Sequence, residues 1–351
     1  MRPSTLRAIN RALAGNGART YSSSASPRHL MSIADLTPTE LTTLVRSAAT
    51  HKHAVKSGAG APLHLAQSLT GKTVAMMFSK RSTRTRVSTE AAVAMMGGHP
   101  MFLGKDDIQL GVNESLLDTS TVISSMTSCM VARVGPHSDV TGLAKHSSVP
   151  VINALSDDFH PLQTIADFLT IHSHHPSSTP GSLGLEGLKI AWIGDSNNVL
   201  FDLALGAAKL GCHVAVASPT GYGIPENMRT LIQSASKASG SGGSLSETTV
   251  PEEAVKDADI LVTDTWVSMG QEAEAKKRLA AFAGFQITND LAKRGGAKKD
   301  WKFMHCLPRH PEEVHDEVFY SPRSLVFEEA ENRLWAAVAA LEAFVVNKGK
   351  I

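Results

Sequence analysis

One short segment combines the residue types that bind phosphate. Residues 79–86 read SKRSTRTR, so hydroxyl and guanidinium groups alternate directly after a predicted strand and before a predicted helix. Free N–H groups and the dipole at a helix N-terminus favour a dianion, and Arg84 and Arg133 can add bidentate hydrogen bonds. A solvated basic loop or a nucleic-acid patch is the alternative. The strand–loop–helix setting favours a phosphate site, although the sequence lacks the GxxxxGKS/T pattern of an ordinary nucleotide-binding loop.

Other polar residues indicate a small ligand that carries an amide and a carboxylate. His160 and Gln163 lie at a predicted helix start, where they can donate hydrogen bonds to an amide-like group and accept them from it. Asn197 and Asn198 can cap a helix or bind a carboxylate, and we expect one residue in each role. Cys306 follows a predicted strand and is either a functional thiol or one of the inert buried cysteines common in proteins.

The surrounding elements predict an α/β fold. Short apolar runs alternate with helical stretches from Thr73 onward, as expected for parallel sheets buried on both faces. We predict strands at 73–78, 129–134, 151–154, 188–193, 213–217, 260–263, 303–305 and 325–327. We predict helices from Thr37, which has the sequence of a capping box, and at 87–96, 163–171, 200–210, 225–236, 272–281 and 328–346. Ligands of such sheets bind beyond the carboxyl ends of the strands, where the polar segments lie.

Three segments fall outside this alternation. Residues 172–187 predict either a linker between two domains or a helix end followed by a loop, and residues 236–249 (SKASGSGGSLSETT) predict a flexible surface insertion. His172, His174 and His175 have no nearby carboxylate or cysteine to complete a metal site, so we interpret them as a solvated loop. Residues 194–198 (GDSNN) lack the second and third glycines of a dinucleotide-binding motif, so no NAD site is predicted.

The charge of the chain is unevenly distributed. Five arginines and no acidic residue precede Asp35, and without this segment the formal net charge of +1 becomes −4. An Arg-rich, Ser-rich, acid-free start predicts a mitochondrial transit peptide, and we exclude residues 1–31 from the fold. Three scattered cysteines exclude a disulfide framework or a cysteine-based zinc site. The sequence gives no reason to expect a membrane span or a nucleic-acid partner.

Five motifs together resemble the transcarbamoylase family, in its ornithine-using branch. They are residues 82–85 (STRT), 160–163 (HPLQ), 264–270 (DTWVSMG), 305–309 (HCLPR) and 331–333 (ENR). The resemblance extends from about residue 36 to the last helix. It implies two doubly wound parallel-sheet domains joined by interdomain helices. Residues 32–172, completed by a C-terminal helix at 328–351, would bind carbamoyl phosphate, and residues 185–327 would bind ornithine.

The resemblance also implies a reaction and a set of site residues. Carbamoyl phosphate and L-ornithine would give L-citrulline and phosphate, as in arginine biosynthesis, by attack of the neutral side-chain amine on the carbamoyl carbon. The implied catalytic residues are Cys306, Asp264, His160 and Arg133, with Cys306 as proton acceptor. The implied carbamoyl-phosphate ligands are Ser82, Thr83, Arg84, Thr85, Arg133, His160, Gln163, Cys306, Leu307 and Arg333. The implied ornithine ligands are Asn198, Asp264, Ser268 and Met269.

The resemblance further implies a homotrimer with shared active sites, in which a neighbouring chain contributes the loop around Lys80. It implies no metal and no organic cofactor. The alternatives are a transcarbamoylase for putrescine, acetylornithine or aspartate, a non-catalytic protein that binds a phosphate ligand, and a basic RNA-binding module. Cys306 and residues 268–270 argue against the aspartate enzyme, and the absence of aromatic residues from segment 80–86 argues against RNA binding.

Overall fold

The computed structural model describes residues 26–107, 114–177, 179, 181–268 and 272–351. The strands in this part of the chain are β1 Thr73–Phe78, β2 His99–Gly104, β3 Cys129–Arg133, β4 Val151–Leu155, β5 Lys189–Ile193, β6 His213–Ala217, β7 Ser244–Thr248, β8 Ile260–Thr263 and β9 Lys302–His305. The α-helices in the same residues are α1 Pro38–Ala54, α2 Leu63–Ala66, α3 Thr83–Met95, α4 Leu116–Met126, α5 His137–His146, α6 Pro161–His174, α7 Asn198–Leu210, α8 Glu226–Ser239, α9 Pro251–Val255, α10 Ala275–Ala281, α11 Asn289–Gly295, α12 Asp316–Phe319 and α13 Val326–Leu341. Among the described helices, none has the length and apolar character needed to cross a bilayer.

The described strands form two parallel sheets, which confirms the predicted fold class. The first sheet has the order β2-β1-β3-β4 and the second has the order β7-β6-β5-β8-β9. Each sheet reverses the direction in which strands are added at one point, between β1 and β3 in the first and between β5 and β8 in the second. Such switch points open a crevice at the carboxyl ends of the strands, where ligands bind.

Both sheets are covered on both faces. Val74, Met76 and Phe78 of β1 belong to one apolar cluster, whereas Ala75 and Met77 belong to another. The same alternation divides the side chains of β5 between two clusters. Residues that alternate along a strand point to opposite faces, so the continuous apolar runs in the sequence reflect helices packed on both sides of each sheet.

The last helix joins the two halves of the molecule. Helix α13 follows the second sheet in sequence, yet it packs against α6, α3 and α1 of the first half and also contacts β9. Trp335, Val338 and Leu341 on α13 are almost completely buried. The helix continues as a π-helical turn at Glu342–Val346. The C-terminal segment is therefore part of the core around the first sheet.

Several predicted elements are confirmed, and the errors have physical causes. Strands β1, β6 and β8 have the predicted bounds, and Thr37 forms the predicted capping box with Glu40. Strands β2 and β7 are not among the predicted strands, and both are partly exposed sheet edges. Strand β7 (SLSET) lacks an apolar run, and the apolar run of β2 begins with Pro100, which argues against a strand. The prediction of a flexible insertion at 236–249 is therefore wrong, because this segment contains the end of α8 and all of β7.

Of three further segment ends, two differ from the predictions and one agrees. The predicted strand at 325–327 is instead the start of α13, because its apolar residues pack as a helical turn. Of the two alternatives for 172–187, the helix end followed by a loop is confirmed, since α6 ends at His174. Leu30 is fully buried and bridges Ile152 of β4, so the fold begins before residue 32. Residues 1–25 of the predicted leader lie outside the described residues.

A buried carboxylate ties the two halves together. Asp202 on α7 accepts hydrogen bonds from Ser32 Oγ at 2.7 Å and Ile33 N at 2.8 Å through Oδ1, and from His160 N at 2.8 Å through Oδ2. Burial raises the pKa of Asp202 to about 7, although the hydrogen bonds act in the opposite direction. The same contact fixes the backbone of His160 and the start of the described chain.

The Asp202→Asn variant is expected to lose stability in a pH-dependent way. Its amide N–H₂ would face one of the three donors, at a cost of about 1–3 kcal/mol at pH 5. A carboxyl group with a higher pKa in the folded chain than in the unfolded chain loses its stabilising contribution as pH rises between the two values, here from about 4 to about 7. The difference in unfolding free energy between the native chain and Asp202→Asn should therefore narrow from pH 5 to pH 8.

Urea denaturation at several pH values measures this difference. The exposed residue Asp290 pairs with Arg294 on the surface of α11, so Asp290→Asn serves as a control with a small, pH-independent effect. A constant gap between the native chain and Asp202→Asn across the pH range would contradict the prediction.

Candidate active site

The polar residues collect at the two switch points of the sheets. Segment 79–86 follows β1, and Arg133 ends β3 beside it. In the second sheet, residues 194–198 follow β5 and Asp264 follows β8. The parallel arrangement thus brings the carboxyl ends of non-consecutive strands together, as predicted from the sequence.

The predicted phosphate loop leads into helix α3. Ser82 is the N-cap residue, and its Oγ accepts a hydrogen bond from the backbone N of Thr85 at 3.3 Å. The first turn of a helix presents N–H groups without helical partners. Arg84 Nη2 donates to the carbonyl oxygen of Leu307 at 2.5 Å, across the boundary between the two halves. Leu307 has a φ of +61°, a backbone conformation that costs energy and is held by its surroundings.

Two further guanidinium groups are buried beside this loop. Arg133 and Arg333 are 8% and 3% exposed, and burial lowers the pKa of each guanidinium to about 10. The charge of Arg84 lowers both pKa values as well, so the three cations lie within electrostatic range of one another. The three positive charges repel one another, so the site favours an anionic ligand.

The histidine beside these cations is neutral. Burial and the charges of Arg333, Arg133 and Arg84 lower the pKa of His160 well below its usual range. Within the described residues, Arg133 Nε, His160 Nδ1 and Arg333 Nε are buried without a hydrogen-bond partner. Buried polar atoms in native proteins are nearly always satisfied. These three groups interact electrostatically and therefore offer a cluster of buried polar atoms that a ligand can satisfy.

Gln163 is held by residues of two helices. Its Nε2 donates to Asp167 Oδ1 at 2.8 Å and to Glu329 Oε1 at 3.0 Å, and its Oε1 accepts from Arg333 Nη1 at 2.6 Å. Arg333 Nη2 also donates to Thr85 Oγ1 at 3.3 Å. These contacts join the start of α3, helix α6 and helix α13 in one network.

A thiol and a carboxylate form the other side of the site. Cys306 Sγ donates to Asp264 Oδ1 at 2.9 Å, and Asn197 Nδ2 donates to Asp264 Oδ2 at 2.7 Å. Burial and the carboxylate of Asp264 raise the pKa of Cys306 well above its usual range. Cys306 is therefore a thiol at neutral pH. Because a thiol is already protonated, the expected role of Cys306 as proton acceptor would require a neighbouring anionic group to receive the proton.

One group of residues in the described chain has the composition of a metal site. Ligand atoms of Asp264, His305 and Cys306 lie within 4.8 Å of one another. Both ring nitrogens of His305 are engaged, however, since Nδ1 accepts from Leu307 N at 2.9 Å and Nε2 lies 3.0 Å from Glu313 Oε2. Because Nδ1 accepts, Nε2 carries the proton that Glu313 binds. These residues fit a structural hydrogen-bond chain better than a metal site.

The remaining predicted ligands have mixed outcomes. Asn197 is the N-cap of α7, which confirms the capping role for one of the two asparagines, and Asn198 Nδ2 donates to the carbonyl oxygen of Ser156 at 2.6 Å. Thr83 is exposed at the start of α3. Ser268 is half-buried after β8, and Met269 lies outside the described residues. Lys80 forms an ion pair with Asp157 at 2.9 Å.

Sequence reasoning missed two buried carboxyl groups of the site. Asp167 and Glu329 are 3% and 2% exposed. Asp167 lies four residues after Gln163 on α6, and Glu329 lies four residues before Arg333 on α13. Residues four apart share one helix face, so polar pairs with this spacing inside apolar helices were the signal available.

Each half of the chain matches a known protein family. The family described as "Aspartate/ornithine carbamoyltransferase, carbamoyl-P binding domain" matches residues 28–173. The family described as "Aspartate/ornithine carbamoyltransferase, Asp/Orn binding domain" matches residues 186–344. The two matches cover both halves of the molecule. The chain belongs to the aspartate/ornithine carbamoyltransferase family.

The similar proteins place the chain within this family more narrowly. It is 72% identical over 333 residues to the mitochondrial ornithine carbamoyltransferase of Coccidioides immitis, covering 93% of this chain and 95% of the relative. A crystal structure of that kind from the same organism matches with a TM-score of 0.86 at 70% identity, over 93% of this chain and 99% of the other. The ornithine carbamoyltransferase structure from Pyrococcus furiosus matches with a TM-score of 0.83 at 44% identity, over 92% and 98%.

Proposed function

We propose that this chain is an ornithine carbamoyltransferase, which transfers the carbamoyl group of carbamoyl phosphate to the side-chain amine of L-ornithine. The products are L-citrulline and phosphate. The observation that carries the proposal is the group of buried, unsatisfied polar atoms on Arg133, His160 and Arg333, which lies within reach of the phosphate loop. The ornithine carbamoyltransferases described above support the choice of substrate. Aspartate, putrescine and acetylornithine enzymes and a non-catalytic protein are not favoured.

The phosphate group would bind at the N-terminus of α3. Ser82, Thr83, Arg84 and Thr85 supply backbone and side-chain donors there, and Arg133 adds a buried guanidinium. Backbone N–H groups at a helix start and guanidinium groups are strong, charge-assisted donors to phosphate. The same donors neutralise the charge that grows on the leaving phosphate as the C–O bond breaks.

The carbamoyl carbonyl would lie between Arg133, His160 and Arg333. Attack by the amine forms a C–N bond and places a negative charge on the carbonyl oxygen. Preorganised donors in a water-poor site stabilise such an oxyanion, and the loss of one typically costs about 100- to 1,000-fold in rate. A neutral His160 can act as a donor without adding a fourth positive charge. Gln163 would bind the carbamoyl amino group, and Cys306 and Leu307 would line the site next to it.

The attacking amine must first lose a proton, because a free alkylammonium has a pKa near about 10.4. The surrounding arginines favour the neutral amine. We assign Asp264 as the group that receives this proton and Cys306, in its thiol form, as a hydrogen-bonded partner that holds the carboxylate in place. Collapse of the tetrahedral intermediate then releases phosphate and a second proton from the new amide nitrogen.

The amino-acid end of ornithine would bind to the second domain. We assign Asn198, Ser268 and Met269 to its α-carboxylate and α-amine, together with Asp264. Residues 32–172 with the helix at 328–351 form the carbamoyl-phosphate domain in this proposal, and residues 185–327 form the ornithine domain. The family matches to residues 28–173 and 186–344 support this division.

We place the protein in the mitochondrial matrix as a homotrimer. The arginine-rich segment before Asp35 and the mitochondrial relatives support the location. Exposed apolar side chains on the first domain, among them Val87, Leu117 and Met126, support an oligomer. Sedimentation equilibrium of the purified protein distinguishes a trimer from a monomer.

A colorimetric ureido assay tests the substrate assignment. Purified protein is mixed with carbamoyl phosphate and, separately, ornithine, putrescine, acetylornithine or aspartate. We expect product with ornithine at a rate at least about 100-fold above the other acceptors, because putrescine and acetylornithine lack one or both charged groups at the α-carbon and aspartate lacks a side-chain amine. Faster product formation with any other acceptor, or none with ornithine, contradicts the proposal.

A further inference from the structure

The side-chain amide of Gln163 is fixed in one orientation. Its two N–H bonds are directed at Asp167 Oδ1 and Glu329 Oε1, and its carbonyl oxygen accepts from Arg333. A guanidinium can only donate hydrogen bonds, and a carboxylate oxygen accepts them. A reversed amide would place its oxygen against two carboxyl groups and its N–H₂ against the guanidinium. The network therefore determines which end of the amide faces the substrate.

In this orientation, Gln163 can form one further hydrogen bond, through its carbonyl oxygen. Both N–H groups are used inside the protein, whereas the carbonyl oxygen has a second lone pair. Gln163 can therefore accept a hydrogen bond from a ligand and has no free N–H with which to donate one. An amino group on the acyl carbon satisfies this acceptor, and a methyl group in the same place does not.

We propose that Asp167 and Glu329 are positioning residues that hold Gln163 Oε1 toward the carbamoyl –NH₂ and so make the site select a carbamoyl group over an acyl group without an amine. The inference rests on the proposed function, because it assumes that Gln163 contacts the carbamoyl group. It adds two carboxyl groups that do not touch the substrate and a physical basis for donor specificity.

The two carboxyl groups are built into the core as one unit. Both accept a hydrogen bond from Gln163 Nε2, so their oxygens lie close to each other. Burial raises the pKa of Asp167 to about 7 and that of Glu329 well above its usual range, so the pair retains a proton at neutral pH. Together the pair keeps acceptor oxygens on both N–H bonds of Gln163 while it limits the charge that must be buried.

Glu329 also connects Gln163 to the loop that carries the thiol. Its Oε2 accepts a hydrogen bond from the backbone N of His305 at 2.9 Å, one residue before Cys306. Both carboxyl oxygens of Glu329 thus act as acceptors for fixed donors. A glutamine at this position has one acceptor oxygen, so its N–H₂ would face either Gln163 Nε2 or His305 N. Glu329→Gln therefore breaks or weakens the arrangement that holds Gln163 with almost no change of shape.

A matched pair of inhibitors measures the selection directly. Phosphonoacetamide carries the carbamoyl amino group, and 2-oxopropylphosphonate has a methyl group in its place. The readout is the ratio of their inhibition constants against carbamoyl phosphate. We expect the native protein to prefer phosphonoacetamide by about 10- to 100-fold, the size of effect that one buried unpaired acceptor produces. In Glu329→Gln and in Asp167→Asn, we expect the ratio of the two inhibition constants to fall by at least about tenfold, or until the two constants differ by less than about threefold.

Two controls separate orientation from general damage. Glu328 is the neighbouring residue on α13 and pairs with Lys52 and His174, so Glu328→Gln makes the same chemical change away from Gln163. Inhibition by inorganic phosphate should be unchanged in all these variants, because the phosphate-binding residues do not contact the carboxyl pair. If one of the two test variants fails to fold, the other carries the test, since each carboxyl group binds Gln163 separately.

Gln163→Met distinguishes failure of this inference from failure of the proposed function. If Gln163→Met abolishes the preference while Glu329→Gln and Asp167→Asn retain it, the carboxyl groups do not orient Gln163 and the inference is overturned. If Gln163→Met also retains the preference, Gln163 does not contact the carbamoyl group, and that part of the proposed function fails with it. A loss of preference in Glu328→Gln likewise overturns the inference.

Discussion

Replacement of Arg133 by methionine is expected to lower kcat/KM for carbamoyl phosphate by about 1,000-fold, which corresponds to about 4 kcal/mol of transition-state stabilisation. Arg133 is buried at the end of β3, and its Nε has no partner among the described residues. A guanidinium held in this way can neutralise the leaving phosphate and the oxyanion at once. Methionine keeps much of the side-chain volume and removes the charge.

The same substitution is expected to leave the free energy of unfolding unchanged or to raise it. In the ligand-free site, the charge of Arg84 lowers the pKa of both Arg133 and Arg333, and the charge of Arg133 lowers the pKa of Arg333 as well. Removal of one buried, incompletely paired cation relieves both its desolvation and the repulsion from the other two. A loss of activity together with a gain of stability is the signature of a residue retained for function.

Steady-state kinetics and urea denaturation measure the two effects. Arg294 lies on the surface, where it pairs with Glu252 and Asp290, so Arg294→Met is the matched control and should change neither quantity measurably. An Arg133→Met variant with kcat/KM within about threefold of the native value, or one that is destabilised by several kcal/mol, would refute the assigned role.

Asp264→Asn is expected to reduce kcat by about 1,000-fold at pH 8, because an amide cannot accept the proton of the attacking ammonium. The amide keeps the shape of the carboxylate, and its one oxygen can still accept a hydrogen bond from Asn197. Cys306→Ala is expected to have a smaller effect, since the thiol only holds Asp264 in place. Equal losses in the two variants would instead indicate that the pair acts as one proton acceptor.

The alkylation rate of Cys306 provides a readout that is independent of turnover. The carboxylate of Asp264 contributes to the raised pKa of Cys306, so Asp264→Asn should lower that pKa. Because the thiolate is the reactive form, iodoacetamide should modify Cys306 faster at pH 8 in Asp264→Asn than in the native protein. Cys129 and Cys212 are buried and should not react, and Cys306→Ala reports any background. An unchanged alkylation rate would exclude the inferred thiol–carboxylate contact.

The central strands of both sheets could be predicted, and their edges could not. Central parallel strands such as β1 and β5 are buried on both faces, so their residues form continuous apolar runs that are visible in a sequence. Strands β2 and β7 are partly exposed sheet edges, so their stability depends on pairing with β1 and β6. The pairing partner lies far along the chain, which a local pattern does not contain.

The residues of the candidate site also separate into those that could be predicted from the sequence and those that could not. Residues that follow central strands, such as Arg84, Arg133 and Asp264, could be identified because parallel sheets place strand ends at one edge. Asp167, Asp202 and Glu329 could not be identified, since they lie inside helices among apolar residues. Their importance depends on which residues face them from other elements, and this information exists only in the packed structure.

By itself the sequence determined two α/β halves, the hydroxyl- and guanidinium-rich loop after β1, and the motifs of the carbamoyltransferase family. These features are local, because a run of apolar residues or a hydroxyl–guanidinium loop keeps its chemistry wherever it is placed. Only the tertiary structure decided that Cys306 is a hydrogen-bonded thiol and that the carbonyl oxygen of Gln163 is free to accept a further hydrogen bond. Each of these depends on desolvation and on partners supplied by distant segments, which shift a pKa or fix an orientation only after the chain has folded.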